Sequence, residues 1–257
     1  VTVATYAAPL QTLGLEGAAI TVLASGFLNP ANNSDGPAFG LYVALASGGD
    51  LIALPLIEEP TPTARVQIIH NSADAVVETV DIFVNGEPFL QNVGFRQATA
   101  FMDVPAGVNL DIVLAPAGAG IGSGVGPFTV NLTEDETYMV VANGIVSATG
   151  YAPATPFGLN VYAMGREEAN VATNTDVLVF HGSTDAPTVS VWETGVGAGQ
   201  IISDFEYGDF AGYLPLATLN YTLEVRDATG TVTVATYAAP LQTLGLEGAA
   251  ITVLASG

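Results

Sequence analysis

His70, Ser72 and Asp74 alternate in "IHNSADA", and His181, Ser183 and Asp185 repeat the pattern in "FHGSTDA", each 111 residues further on. A base, a hydroxyl and a carboxylate are the parts of a nucleophilic hydrolase, and i, i+2, i+4 spacing would put all three on one face of a strand. A triad works only when its members converge from separate elements beside an oxyanion hole. Neither stretch has a nucleophile elbow, and each has one histidine only. The spacing therefore predicts a structural turn in which the histidine ends a strand and Ser and Asp bond the backbone that follows. On this reading the chain is not an enzyme.

Carboxylates are the next candidates. "EDE" (134–136), "SDFEYGDF" (203–210) and the pairs at 58–59 and 167–168 offer oxygen ligands of the kind Ca2+ takes. None has the D-x-D-x-D-G spacing of a calcium loop, so solvated turns and no cofactor are expected. "GAGIGSGVG" (118–126) lacks the Lys-Ser/Thr of a phosphate loop and reads as a hairpin tip or contact loop. Trp192, the single tryptophan, is expected in a core, with Phe205, Tyr207 and Phe210 close behind it.

Charge narrows the partners. Twenty-five acidic residues face four arginines and no lysine, for a net charge of −21. Phosphate backbones are held by Lys and Arg, so nucleic acid is excluded as a partner, as are anionic membrane surfaces. Absent lysine also excludes Lys–Asn crosslinks, and absent cysteine excludes disulfides and thiolate metal sites. Charged residues make up 11% of the chain, against roughly 25% in ordinary soluble proteins. A surface this poor in charge is expected to be buried in part against other copies. No apolar run approaches the ~18 residues of a membrane span, so membrane insertion is not expected.

The elements that must carry these residues are strands. "ARVQIIH" (64–70), "TVDIFV" (79–84), "NLDIVLA" (109–115), "PFTVNL" (127–132), "TYMVVANG" (137–144) and "FGLNVYAM" (157–164) are short β-rich runs cut by Gly, Pro, Asn and Asp. "FVNGEPF" (83–89) is a hairpin signal, and "EVRDATGTVTVATY" (224–237) predicts a second hairpin turning at Asp227–Gly230. "LTEDETYMVV" (132–141) is similar to the tyrosine corner of immunoglobulin-like sandwiches, with Tyr138 as the corner residue. The expected class is all-β, with immunoglobulin-like antiparallel sandwiches.

Repeats set the domain plan. Residues 1–26 and 232–257 are identical, a period of 231. "VQIIHNSADAVVETVDIFV" (66–84) aligns with "VLVFHGSTDAPTVSVWETG" (177–195), while "YMVVANG" (138–144) and "PFGLNVY" (156–162) align with "ITVLASG" (20–26) and "AFGLYVA" (38–44) at an offset of 118. The chain then reads as a window on a tandem array of two modules per period. Residues 1–59 are the C-terminal part of a module B, 60–63 a linker stiffened by Pro60 and Pro62, 64–174 a complete module A, and 175–257 the N-terminal part of the next module B. "REEANVATNT" (166–175) is the expected junction from A to B.

"RVQIIHNSADA", "VDIFVNGEPF" and "GFRQATAFMDVPAGVNLDIVL" resemble domain of unknown function 4397. Its pattern R-V-x-x-x-H-x-S-x-D-A-P followed by V-P-A-G is met in module A by Arg65, His70, Ser72, Asp74, Ala75 and Val104–Gly107, with Val76 in place of the proline. Module B keeps His181, Ser183, Asp185, Ala186 and Pro187, has Asp176 for the arginine, and has "LPLATLN" for V-P-A-G. The resemblance implies a β-sandwich module of secreted or cell-surface proteins of bacteria and archaea, often in tandem, and no established chemistry. Together these features predict a structural protein, an extracellular filament or cell-surface fibre whose partners are other copies of itself. The alternatives are an adhesin recognising carbohydrate or a cell surface, and a subunit that polymerises by β-strand exchange. Modules of about 35 Å stacked end to end would advance the fibre by about 70 Å per period.

Overall fold

The computed structural model describes residues 3–58 and 60–257. It divides into two compact units, Val1–Thr61 and Pro62–Gly257.

The first unit holds β1 (Thr5–Tyr6), β2 (Ile20–Ser25), β3 (Gly40–Leu45), β4 (Ile52–Ala53) and β5 (Leu56–Ile57). Strands β2, β3 and β4 form a three-stranded antiparallel sheet, and β1 pairs with β5. Leu15, Val43 and Leu54 are its buried centre. Only one residue of β3, Val43, is fully buried, and most of β2 is exposed.

The second unit opens with module A: β6 (Thr63–His70), β7 (Thr79–Val84), β8 (Glu87–Gly94), β9 (Gln97–Ala98), β10 (Met102–Pro105), β11 (Asn109–Pro116), β12 (Val125–Asn131), β13 (Thr137–Asn143) and β14 (Gly158–Ala163). One sheet runs β10–β6–β13–β14, with β9 also on β6, and the other runs β12–β11–β7–β8. Period-two alternation fills the space between them: Ala64, Val66 and Ile68 from β6 meet Tyr138, Val140 and Ala142 from β13 and Val80 and Ile82 from β7. Asn85 and Gly86 turn the β7–β8 hairpin with φ of 51° and 87°, the positive pair a type I′ turn needs. The pairing is not wholly antiparallel. β6 and β13 run parallel, Arg65 beside Thr137 through His70 beside Ala142, because β13 re-enters the first sheet in the direction β6 took, after a long path through the second. Thr63, inside the expected linker, already pairs with Pro105.

Module B follows as β15 (Asn174–Gly182), β16 (Val189–Glu193), β17 (Gly199–Phe205), β18 (Phe210–Ala217), β19 (Asn220–Asp227), β20 (Thr233–Pro240) and β21 (Ala250–Ser256). Its sheets are β18–β15–β21 and β17–β16–β19–β20. Asp176 lies beside Ala250 in a parallel β15–β21 pair, matching the β6–β13 pair of module A. The second hairpin turns where the sequence predicts it, with the Asp227 carboxylate accepting from the N–H groups of Thr231 and Val232 at 2.9 Å.

The other face of each first sheet is also apolar. Ile69, Met139 and Val141 of module A are buried in one cluster with Leu178 and Phe180 of module B, flanked by Phe101, Tyr162, Phe210, Tyr213 and Leu254. Modules A and B therefore stack sheet face to sheet face, four sheets deep, and not end to end. At about 10 Å between stacked sheets the pair is roughly 40 Å thick, so an advance of about 70 Å per period built from end-to-end modules does not describe this pair.

Candidate functional site

In module A the histidine, serine and aspartate of the turn are all buried. His70 ends β6, and its Nε2–H donates to the Val77 carbonyl at 2.6 Å. Burial holds the imidazole below its ordinary value, with the bond to Val77 opposing the shift. The Ser72 hydroxyl donates to the Gly144 carbonyl at 2.6 Å, away from the imidazole. Asp74 accepts from Val76 N at 3.0 Å, Val146 N at 2.9 Å, and Ser147 N and Oγ at 2.6 and 2.8 Å. Burial alone would raise the Asp74 carboxyl; the bonds from Ser147, Val76 and Val146 outweigh it and hold it below its ordinary value. The turn thus pins the chain after β6 to the chain after β13. The Nε2–H of His70, the Ser72 hydroxyl and the Asp74 carboxylate are committed to backbone or to Ser147, and no base faces a nucleophile.

Module B has the same residues with different partners. His181 Nε2 faces the Pro187 carbonyl at 3.3 Å, and the Ser183 hydroxyl donates to Asp185 at 3.2 Å. Asp185 is exposed and bonds no backbone from another strand among the described residues. The tyrosine-corner candidate Tyr138 accepts from Thr133 N at 3.0 Å.

The junction between the modules is built from equivalent positions. Asn71 Nδ2 donates to the carbonyl of Gly182, its own counterpart 111 residues on, at 3.2 Å. A Cβ at Gly182 would collide with that amide, so this close approach requires glycine. Arg65 and its counterpart Asp176 each bind one of two adjacent junction residues. Arg65 holds Glu167 through Nε and Nη2 at 2.7 and 2.8 Å, a bidentate pair. Arg166 pairs with the fully buried Asp176 and lies 4.6 Å over the Tyr213 ring. Arg96 adds bonds to Ser256 Oγ and O at 3.0 and 2.8 Å. "REEANVATNT" is therefore a clamped junction and no free tether.

Segments 64–192 and 175–257 match the family described as "Domain of unknown function (DUF4397)". The chain belongs to the DUF4397 family. No curated protein matches it. The two DUF4397 segments overlap on β15 and β16, which open module B.

Outside the DUF4397 turn, the acidic runs stay apart. Glu134 and Asp135 are exposed, Asp209 caps its own turn by accepting from Glu206 N at 3.0 Å, and Glu167 is taken by Arg65. Among the described residues no three His, Asp or Glu side chains group closely enough to hold a metal ion; Glu59 lies outside those residues. Pro60 and Pro62 are exposed, and the Pro62 carbonyl accepts from Ala106 N at 2.9 Å. Trp192 corrects its expectation. Val189 and Val191 take the core side of β16, so alternation puts Trp192 on the outer face, half-buried beneath Arg226 at 4.5 Å. Its neighbours scatter, with Phe205 in a core and Phe210 at the junction. Glu193 escaped the sequence reading. It is buried at the end of β16, where its carboxylate accepts from the N–H groups of Gly195, Val196, Ala198 and Thr222 at 2.7–3.3 Å. An acid directly before "TGVGAG" was the available signal, since a tight glycine-rich loop presents several N–H groups to one acceptor.

Proposed function

We propose that this chain is a structural protein, a segment of an extracellular filament or cell-surface fibre assembled from tandem DUF4397 sandwiches. The observation that carries the reading is the 26-residue stretch at both ends. It gives β2 in one unit and β21 in the other, the mark of a tandem repeat with a period of 231 residues. The clamped, apolar A–B stack supports a mechanical role, because a load passes through a buried core and paired ions and not through a flexible tether. In module A the Nε2–H of His70, the Ser72 hydroxyl and the Asp74 carboxylate are all bonded within their own sandwich, which favours a non-enzymatic role. A low-charge chain of net −21 stays soluble as single pieces yet offers apolar faces to its own kind.

Electron microscopy of the native material tests this. Filaments that digest to fragments of one 231-residue period, with an advance per period below about 70 Å, are the expected result. Native material that stays monodisperse and unassembled at every concentration overturns it.

A further inference from the structure

An asparagine with serine or threonine two places on is an acceptor for N-linked sugar in chains that leave the cell. The sequence holds three such triplets, Asn32-Asn33-Ser34, Asn131-Leu132-Thr133 and Asn220-Tyr221-Thr222. The fold brings the second and third to equivalent places.

Asn131 is the last residue of β12, and Asn220 is the first of β19. The outer sheets run β12–β11–β7–β8 and β20–β19–β16–β17, which makes β19 the counterpart of β11. Strand β11 begins at Asn109, 111 residues before Asn220, and Asn109 lies directly opposite Asn131. Asn131 and Asn220 therefore stand at the same corner of their two sheets, on neighbouring strands. In both triplets the middle residue points into a core, Leu132 at 3% exposed and Tyr221 at 8%. Alternation turns the asparagine and the hydroxyl residue the other way, and Asn131, Thr133 and Asn220 are exposed.

The surroundings leave this corner open to a large substituent. Module A is complete around Asn109 and Asn131, and module B has the module before it in place around Asn220; the corner is exposed in both settings. The A–B stack uses the opposite sheets, through Ile69, Met139 and Val141 against Leu178 and Phe180. Asn71 and Asn143, which are buried beside that stack, are followed by Ser72-Ala73 and Gly144-Ile145 and form no acceptor triplet. The amides also have a hydrogen to give. Asn131 Nδ2 donates to Asn109 Oδ1 at 3.1 Å, and Asn220 Nδ2 donates to Thr243 Oγ1 at 3.0 Å. Each Nδ2 carries two hydrogens, so sugar can replace one while the bond that orients the side chain is kept.

We propose that Asn131 and Asn220 carry N-linked sugar, one glycan on the outer sheet of each module. The donor class is a saccharide esterified to a lipid pyrophosphate. Nδ2 attacks the anomeric carbon, the N–C bond forms and the C–O bond to the pyrophosphate breaks. The lipid pyrophosphate leaves, and Nδ2 loses one proton. Sugar hydroxyls then cover outer faces of a chain in which only 11% of residues are charged. This deepens the filament reading and rests on it, because such transfer takes place on chains bound for the cell surface.

The test is mass spectrometry of proteolytic peptides from native material. Peptides holding Asn131 and Asn220 should both be heavier than their sequence by whole sugar residues. Variants made in the same host sharpen the result. Thr133→Ala should return the Asn131 peptide to its unmodified mass, whereas Thr133→Ser, which keeps the triplet, should retain the sugar. Thr133 is exposed and bonds Tyr138 through its main-chain N–H, so both variants keep that contact. Both peptides at their unmodified masses, sugar on Asn32 alone, or sugar that survives Thr133→Ala overturns the proposal. Filaments whose two peptides carry no sugar would remove this modification and leave the filament reading intact. Glycopeptides from material that never assembles would do the reverse.

Discussion

Asp74 and Asp185 occupy the same place in two copies of one turn and live in different surroundings. Asp74 is 1% exposed and takes four hydrogen bonds, three of them with the chain beyond β13 or its serine; Asp185 is exposed and takes one, from Ser183. The residue type is constant, so the difference lies in what packs over it. In module A the hairpin β13–β14 and the chain linking its strands close over the turn. In module B the corresponding strand β21 has no second strand beside it among the described residues. In module A the turn fastens the chain after β6 to the chain after β13, whereas in module B the equivalent aspartate takes a single bond.

The comparison breaks most sharply at the aspartates themselves. Asp74→Ala leaves the N–H groups of Val76, Val146 and Ser147 without their acceptor, at about 1–3 kcal/mol for each buried donor left unpaired. Allowing for relaxation, a loss of about 4 kcal/mol is expected in urea unfolding of the second unit, against about 0.5 kcal/mol or less for Asp185→Ala. Equal losses would mean that the two turns are equally buried in solution.

The junction gives the next contrast, between two ion pairs at equivalent positions. Arg166→Met strands the fully buried Asp176 carboxylate with only the Asn170 N–H, at 3.0 Å, and should cost about 3 kcal/mol. Arg65→Met breaks a bidentate pair whose partners are both more than a third exposed, and should cost about 1 kcal/mol or less. Differential scanning calorimetry of the two variants reads both. A larger loss at Arg65 would show that Glu167, and not Asp176, anchors the junction.

Much of this architecture was legible in the residues. Asn85-Gly86 and Asp227–Gly230 turn where their chemistry demands. The 111 and 118 offsets reappear as pairing registers, Arg65 with Thr137 beside Asp176 with Ala250, and Tyr138 with Ala163 beside Ile20 with Leu45. The parallel β6–β13 pair was not legible, because local pattern fixes a strand and says nothing of its neighbour's direction. The face-to-face stack was missed although "TYMVVAN" carries its signal: a strand apolar at nearly every position is covered on both faces. The expectation of Trp192 in a core left out the alternation with Val189 and Val191 that decides its face. Glu193 was missed because its signal lies in the glycine-rich loop that follows it and not in a spacing of acidic residues.

The smallest effect is a titration within module A. The buried His70 binds protons less readily folded than unfolded, where its value is about 6.5. As pH falls through that ordinary value, the unfolded chain takes up the extra proton first, so the stability His70 supports is present above pH 6.5 and is lost below it. Asp74 and Glu193 are also held below their ordinary values, and their contribution is lost only in the range where free carboxyls protonate, near pH 4. A net charge of −21 acts in the opposite sense, since acid relieves self-repulsion. The difference between wild type and His70→Asn cancels that shared background. Urea midpoints at pH 8 and pH 5.5 should show the wild type's advantage shrinking by about 1 kcal/mol on acidification. An advantage that grows instead would mean His70 is charged in the folded chain, which a buried ring with an unpartnered Nδ1 has no acceptor to support.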